Sequence, residues 1–214
     1  MKGPFLQLHD VTAAYGRRTV LHGTTLDIAP NDFIIISGPN GGGKTTLLKI
    51  LAGLLQPAAG RLIRPQGLIT GYLPQYRSID RAFPITVEET VLSGLNCRKK
   101  AWQRFTAEHR EQVRRMLDTF QLTELAARPI SALSGGQWQR TLLARSLACQ
   151  PDLWLLDEPD THLDAGSRDY LHALLEREAG RRAIVVVTHN PEHVDHLPGS
   201  RLWEVVDQQV HQLR

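Results

Sequence analysis

Eight consecutive residues, Gly38-Pro39-Asn40-Gly41-Gly42-Gly43-Lys44-Thr45, constrain the chain more than any other stretch. An apolar, β-branched run, Phe33-Ile34-Ile35-Ile36-Ser37, precedes them, and a helix-like run, Thr46-Leu47-Leu48-Lys49-Ile50-Leu51-Ala52, follows. The pattern G-x-x-x-x-G-K-T has physical meaning in that context of strand, loop and helix. Gly38, Gly41, Gly42 and Gly43 can turn successive backbone N–H groups into one concavity. The helix that starts there directs its positive dipole end to the same point. Lys44 adds a full charge for outer phosphates, and the Thr45 hydroxyl can ligate Mg²⁺. The stretch therefore predicts a phosphate cradle on an α/β scaffold.

The rest of the chain reads in the same terms. Residues 5–28 alternate as two strands around a turn at Tyr15-Gly16-Arg17-Arg18. Arg61-Leu62-Ile63 and Leu68-Ile69-Thr70-Gly71-Tyr72 read as two more, broken at Pro65-Gln66-Gly67. From Tyr76 to about Arg128 the pattern turns helical. Val113, Met116, Leu117 and Phe120 recur on one face, as core positions. Ser134 opens a further helix that reaches Leu147. Leu153–Leu156 and Ala183–Val187 read as strands buried on both faces, separated by a helical pattern from Ser167 to Ala179. Two short strands around Asp207-Gln208 follow. The expectation is one 1–214 unit. Its core and a small antiparallel sheet come from 1–75 and 150–214, with a helical subdomain at about 76–149.

Both buried strands end in chemistry. Leu153–Leu156 runs into Asp157-Glu158, and Ala183–Val187 into Thr188-His189. Ligands of open α/β sheets bind beyond the carboxyl ends of the strands, so loop, acidic pair and histidine can converge there. Neighbouring strand residues point to opposite sides, which lets the two carboxylates divide the work. Asp157 suits Mg²⁺, through water, and Glu158 suits orienting or deprotonating an attacking water. A second glycine-bearing element, Leu133-Ser134-Gly135-Gly136-Gln137, can cap a helix through Ser134 and offer another anion cradle.

In order and spacing, Gly38–Thr45, Gln75, Leu133–Gln137, Leu153–Glu158 and Thr188-His189 resemble the ATP-binding-cassette ATPases, over nearly the whole chain. Leu-Ser-Gly-Gly-Gln with Gln139-Arg140 close behind is the most specific part. The resemblance implies a P-loop NTPase (RecA-like) α/β fold: a parallel core sheet, an antiparallel N-terminal β-subdomain and an inserted helical subdomain. It implies ATP and Mg²⁺, with nucleotide held by Tyr15, stacked on adenine, and by Gly38, Pro39, Asn40, Gly41, Gly42, Gly43, Lys44, Thr45 and Thr46. Mg²⁺ falls to Thr45, Gln75 and Asp157. Catalysis falls to Glu158, His189 and Gln75, the last also relaying to a membrane partner. Ser134, Gly135, Gly136 and Gln137 are implied to face the ATP of a second copy, and Asp164 to cross between copies. Two residues depart from the family pattern. Asp160 stands where a Thr or Ser-like residue is usual, and His162 where a small one is.

The branch of the family is read from smaller signals. Ala126–Ala132 ahead of the signature resembles importer-type subunits, and Phe83-Pro84-Ile85-Thr86-Val87 resembles the zinc and manganese uptake ATPases. That branch implies a homodimer on a multi-span permease, an extracytoplasmic solute-binding protein, and no nucleic acid. A soluble ATPase acting on nucleic acid or ribosomes, or an exporter subunit, is the alternative. The former usually carries two cassettes or a long coiled coil, whereas here there is one cassette without sustained heptads. No apolar run approaches the ~20 residues that span a bilayer. Met1–Phe5 lacks an apolar signal region, and the two cysteines, Cys97 and Cys149, form no disulfide framework. The expected location is cytoplasmic, peripheral on the inner face of the membrane. His189, His193 and His196 invite a metal-site reading, which the role of His189 argues against.

Overall fold

The computed structural model describes residues 5–75, 80–98, 102–161, 163–195, 197 and 199–214. Two sheets form the scaffold. Strands β1 (Leu6–Tyr15), β2 (Arg18–Ile28) and β4 (Ala59–Ile63) make an antiparallel sheet in the order β2-β1-β4. The second sheet has six strands. They are β3 (Phe33–Ser37), β5 (Thr70–Leu73), β6 (Leu153–Asp157), β7 (Ala183–Val187), β8 (Ser200–Val206) and β9 (Gln209–Gln212), in the order β5-β6-β7-β3-β8-β9. All its pairings are parallel except the terminal β8–β9 hairpin. The two strands expected on either side of Pro65–Gly67 both form, but β4 joins the antiparallel sheet and β5 the parallel one.

Alternation explains how the parallel sheet is covered. On one face Ile34, Ile36, Leu153, Leu155, Val185 and Val187 pack with α1 (Lys44–Leu51) and the antiparallel sheet. On the other, Phe33, Ile35, Trp154, Leu156, Ile184 and Val186 pack against the remaining helices. Both faces are dry, so β6 and β7 read as unbroken apolar runs. Each such Leu, Ile or Val contributes about 1.5–3 kcal/mol on burial. The Trp154 indole N–H also donates to Ser146 Oγ at 2.9 Å, which satisfies the one polar atom it takes into the core.

Between β5 and β6 lie α2 (Val87–Ser93), a 3₁₀ helix at Gly94–Arg98, α3 (Ala107–Thr119) and α4 (Gly135–Leu147). Each α-helix starts with the same reciprocal cap: Thr86 with Glu89, Thr106 with His109, Ser134 with Gln137. The side chain of the first residue accepts the third residue's N–H, and that residue's side chain accepts in return. Val113, Leu117 and Phe120 are buried, and Met116 packs beside them, as their spacing predicts. The last helix, α5 (Ala165–Glu178), begins two residues before the apolar pattern does, because Asp164 caps it by accepting from Ser167 N at 2.8 Å.

Strands β6, β7 and β3 are consecutive neighbours and run parallel. Their carboxyl ends, Asp157, Val187 and Ser37, therefore lie side by side. The loop after β3 turns immediately at Gly38, whose φ is +134°. A Cβ there would sit 2.2 Å from the Val205 carbonyl oxygen, so no other residue fits without moving β8. At Gly43, φ is +110° and a Cβ would meet Val20 O at 3.0 Å. These two close approaches fold the loop over the end of the sheet.

Candidate functional site

A cavity of about 380 Å³ opens at that edge, lined by Val20, Asn40, Gly41, Gly43, Lys44, Thr45, Thr46, Gln75, Glu158 and His189. Seven of the residues implied for nucleotide and catalysis besides the loop glycines thus meet in one place: Asn40, Lys44, Thr45, Thr46, Gln75, Glu158 and His189. Gly38 and Pro39 lie beneath them, since both carbonyls accept from Lys44 Nζ, at 2.8 and 3.0 Å. Gly42 and Pro39 face an adjoining recess with Asp207 and Gln208.

Lys44 is buried. Burial lowers its pKa below the ordinary lysine value, and the carboxylates of Glu158 and Asp157 oppose that shift. Thr45 Oγ1 donates to Asp157 Oδ1 at 3.2 Å. The other oxygen, Asp157 Oδ2, is buried without a partner. Burial raises the Asp157 carboxyl above its usual value, against the Thr45 hydrogen bond and the charges of Lys44 and Lys49. An orphaned carboxylate oxygen beside a threonine hydroxyl is a hard oxygen donor set, which fits Mg²⁺. The fit also explains why the fold tolerates an unmet acceptor here.

Glu158 is held from both sides. Gln75 Nε2 donates to its Oε2 at 2.9 Å, and His189 Nε2 lies 3.1 Å from its Oε1. Burial raises the Glu158 pKa, but the hydrogen bonds from Gln75 and His189, with the charges of His189 and Lys44, outweigh it and hold the carboxyl below its ordinary value. Its backbone sits at φ +50°, and its N–H donates to Val187 O at 3.0 Å. A left-handed, non-glycine residue at the end of a buried strand stores about 1–3 kcal/mol of strain. That backbone turn directs the glutamate side chain toward the cavity while the preceding Asp157 stays bonded to Thr45.

The remaining residues lie elsewhere. Ser134 caps α4, with Oγ accepting from Gln137 N at 3.3 Å. Ser134, Gly135, Gly136 and Gln137 do not line the cavity. Asp164 caps α5, and Tyr15 is exposed at the β1–β2 turn, outside the cavity lining. His162, His196 and the His193 side chain lie outside the described residues. Among the described residues, no cluster of three His, Cys, Asp or Glu side chains could hold a metal. Two features escaped sequence reasoning. Val20 reaches the cavity from β2, and no sequence signal marks it. Gln139 Nε2 donates to Pro159 O at 2.6 Å, joining α4 to the corner that follows Glu158.

A family model described as ABC transporter matches residues 21–161. A probable metal transport system ATP-binding protein of Chlamydia trachomatis is 40% identical over 195 residues, which is 87% of this chain and 82% of that protein. The high-affinity zinc uptake system ATP-binding protein of Bacillus subtilis is 37% identical over 200 residues, 88% of this chain and 86% of its own length. Among solved structures, a metal-chelate type ABC transporter in an inward-facing conformation superposes with a TM-score of 0.85 at 28% identity, covering 98% of this chain and 82% of that one. A dimeric bacterial ABC transporter cassette gives 0.83 at 26%, covering 98% and 99%.

Proposed function

The chain belongs to the ABC transporter family, and on that premise we propose that it is the ATP-hydrolysing subunit of a membrane importer for a metal ion or metal chelate. The observation that carries the ATPase reading is the convergence of Lys44, Thr45, Gln75, Glu158 and His189 on one glycine-walled cavity, with Asp157 bonded to Thr45 behind it. The metal cargo is supported by relatives named for zinc or metal transport, one at 40% identity. The superposing transporter of metal-chelate type supports it too.

In this reading each residue of the site has a role. The N–H groups of Gly41–Thr46 and the Lys44 ammonium hold the β- and γ-phosphates. Thr45 and Asp157 would hold Mg²⁺, which when bound would supply positive charge to offset the negative charge on the transferred phosphoryl group. Glu158, whose hydrogen bonds keep burial from raising its carboxyl pKa, is ionised at neutral pH and accepts the proton of the attacking water. Gln75 and His189 fix its two oxygens so that one rotamer faces the γ-phosphate.

One chain holds only part of the site. Ser134–Gln137 present a capped helix N-terminus away from the cavity, which suits the ATP of a second copy. Two chains then sandwich two nucleotides, with Tyr15 against adenine and Asp164 between copies. Closure on ATP and opening after hydrolysis are the two states that drive the permease. The 76–149 stretch, with its three capped helices, is the subdomain that meets the permease. Among the described residues no helix is long and apolar enough to cross a membrane. In this reading the chain acts from the cytoplasmic face through that partner. An extracytoplasmic binding protein would deliver the cargo.

The test is uptake of radiolabelled zinc by cells that carry wild-type, Lys44→Ala or Glu158→Gln chains. Both variants should lose uptake while still co-purifying with a multi-span permease from detergent extract. Undiminished uptake in either variant, or sedimentation of the chain with ribosomes rather than membranes, contradicts the proposal.

A further inference from the structure

We infer that Asp160 is a positioning residue for hydrolysis, holding His189 against Glu158 through the hydroxyl of Thr188. Asp160 lies two residues beyond Glu158, at the position where the family pattern carries a hydroxyl side chain. Its Oδ2 accepts from Thr188 Oγ1 at 3.1 Å. Thr188 Oγ1 in turn accepts from the Asn190 backbone N–H, also at 3.1 Å. Thr188 is 3% exposed and its own N–H is bound to Ile36 O. The hydroxyl therefore lies between two fixed partners.

A carboxylate has no proton to donate, so the direction of this chain is set: Asn190 N–H to Thr188 O–H to Asp160. A serine or threonine at 160 could donate or accept, leaving the Thr188 proton free to rotate. With aspartate the proton is pinned toward Asp160, and the Thr188 oxygen is left to accept from the Asn190 N–H. The residue enclosed by these two bonds is His189. Its ring leaves a backbone tied on both sides and arrives 3.1 Å from Glu158 Oε1.

The Glu158–Asp160 corner is anchored independently of this bond. Gln139 donates to Pro159 O at 2.6 Å from α4, and Glu158 N donates to Val187 O at 3.0 Å. Asp160 is thus a fixed post in the turn after β6 from which the start of the loop after β7 is hung. Both members of the Glu158–His189 pair are thereby referred to the same short segment, which fixes their separation.

The inference rests on Glu158 and His189 being the hydrolytic pair, and the experiment separates the two claims. ATP hydrolysis and ATP affinity are measured for Glu158→Gln, Asp160→Ala, Asp160→Asn, Thr188→Val and Thr188→Ser. The side-chain signals of His189 are followed in ¹⁵N-histidine-labelled protein. Asp160→Ala and Thr188→Val should each lower kcat by about tenfold, since misplacement of a catalytic group by a fraction of an ångström is felt in rate. KM and ATP affinity should stay within twofold, and the His189 signal should shift or broaden. Asp160→Asn, which keeps an acceptor oxygen, and Thr188→Ser, which keeps the hydroxyl, should restore kcat to within threefold of wild type. The double variant Asp160→Ala/Thr188→Val should be no worse than either single one, because they act as a unit. Unchanged kcat in Asp160→Ala, an additive double variant, or an Asp160→Asn as slow as Asp160→Ala overturns the inference. If Glu158→Gln hydrolyses ATP at the wild-type rate, the reading of the pair itself fails instead.

Discussion

Asp157→Asn should make the nucleotide-free protein more stable and make its nucleotide binding indifferent to Mg²⁺. Asp157 is 1% exposed, and one of its two carboxylate oxygens has no hydrogen-bond partner. Its pKa is raised in the fold, chiefly by burial. For an acid, that sign means the ionised form is disfavoured by folding. The penalty is absent below the unfolded-state pKa, grows as pH rises toward the folded value and is complete above it. Asparagine has the same shape, can still accept from Thr45, and carries no charge. A buried unmet polar atom costs about 1–3 kcal/mol and more when it is charged; the asparagine amide is also unmet there, so the gain comes only from losing the charge. The attraction of Lys44 and Lys49 offsets part of this, so a gain of about 1 kcal/mol is expected. For a chain of this size that is a rise in Tm of roughly 2–4 °C. Thermal unfolding is then repeated with ATP at about a hundred times its Kd, which should add about 2.7 kcal/mol to any binder. In the wild type, adding Mg²⁺ should raise Tm further; in Asp157→Asn it should not. A variant that is less stable than wild type without nucleotide, or that keeps the full Mg²⁺ increment, refutes the assignment of Asp157 as a strained metal ligand.

Glu158→Gln should bind ATP with near wild-type affinity but hydrolyse it about 10²–10⁴-fold more slowly, and should elute as a dimer with ATP on size-exclusion chromatography. Gly38→Ala should fail to bind nucleotide and lose stability, because its new methyl would lie 2.2 Å from Val205 O; circular dichroism melting and fluorescent-nucleotide titration check both. The Glu158 carboxyl is held below its ordinary 4.5, so its ionised form stabilises the fold above that pH, and the contribution is lost as pH falls through the folded value. Acid unfolding of Glu158→Gln, followed by tryptophan fluorescence, should therefore differ less between pH 6 and pH 3 than that of wild type.

Much of this architecture is legible in the residues themselves. The β6 and β7 runs are apolar throughout because both faces are covered, and their polar ends, Asp157-Glu158 and Thr188-His189, announce the edge where the site forms. The capping pairs at Thr86, Thr106 and Ser134 are local, so a four-residue window contains all their physics. What a window cannot contain is pairing across the fold. β4 and β5 look alike in sequence, yet one joins each sheet, because the partner strands decide. Val20 enters the cavity only because β2 passes over Gly43, where a Cβ would meet it. The bonds from Gln139 to Pro159 and from Thr188 to Asp160 span 20 and 28 residues, and no periodicity encodes them.

The claim that two copies share each ATP is tested most directly by mixing two inactive chains. Lys44→Ala destroys the phosphate loop of its own copy, and Ser134→Arg blocks the cradle offered to the other. Each variant alone should form pairs with no intact site. In a mixed pair, the loop of the Ser134→Arg chain meets the signature of the Lys44→Ala chain, and both are wild type. Shared sites predict that ATPase activity reappears on mixing, up to about a quarter of wild type, since about half the pairs are mixed and each has one intact site of two. If the mixture stays as inactive as its parents while mixed pairs are shown to form by cross-linking, each chain completes its own site and the shared-site mechanism is wrong.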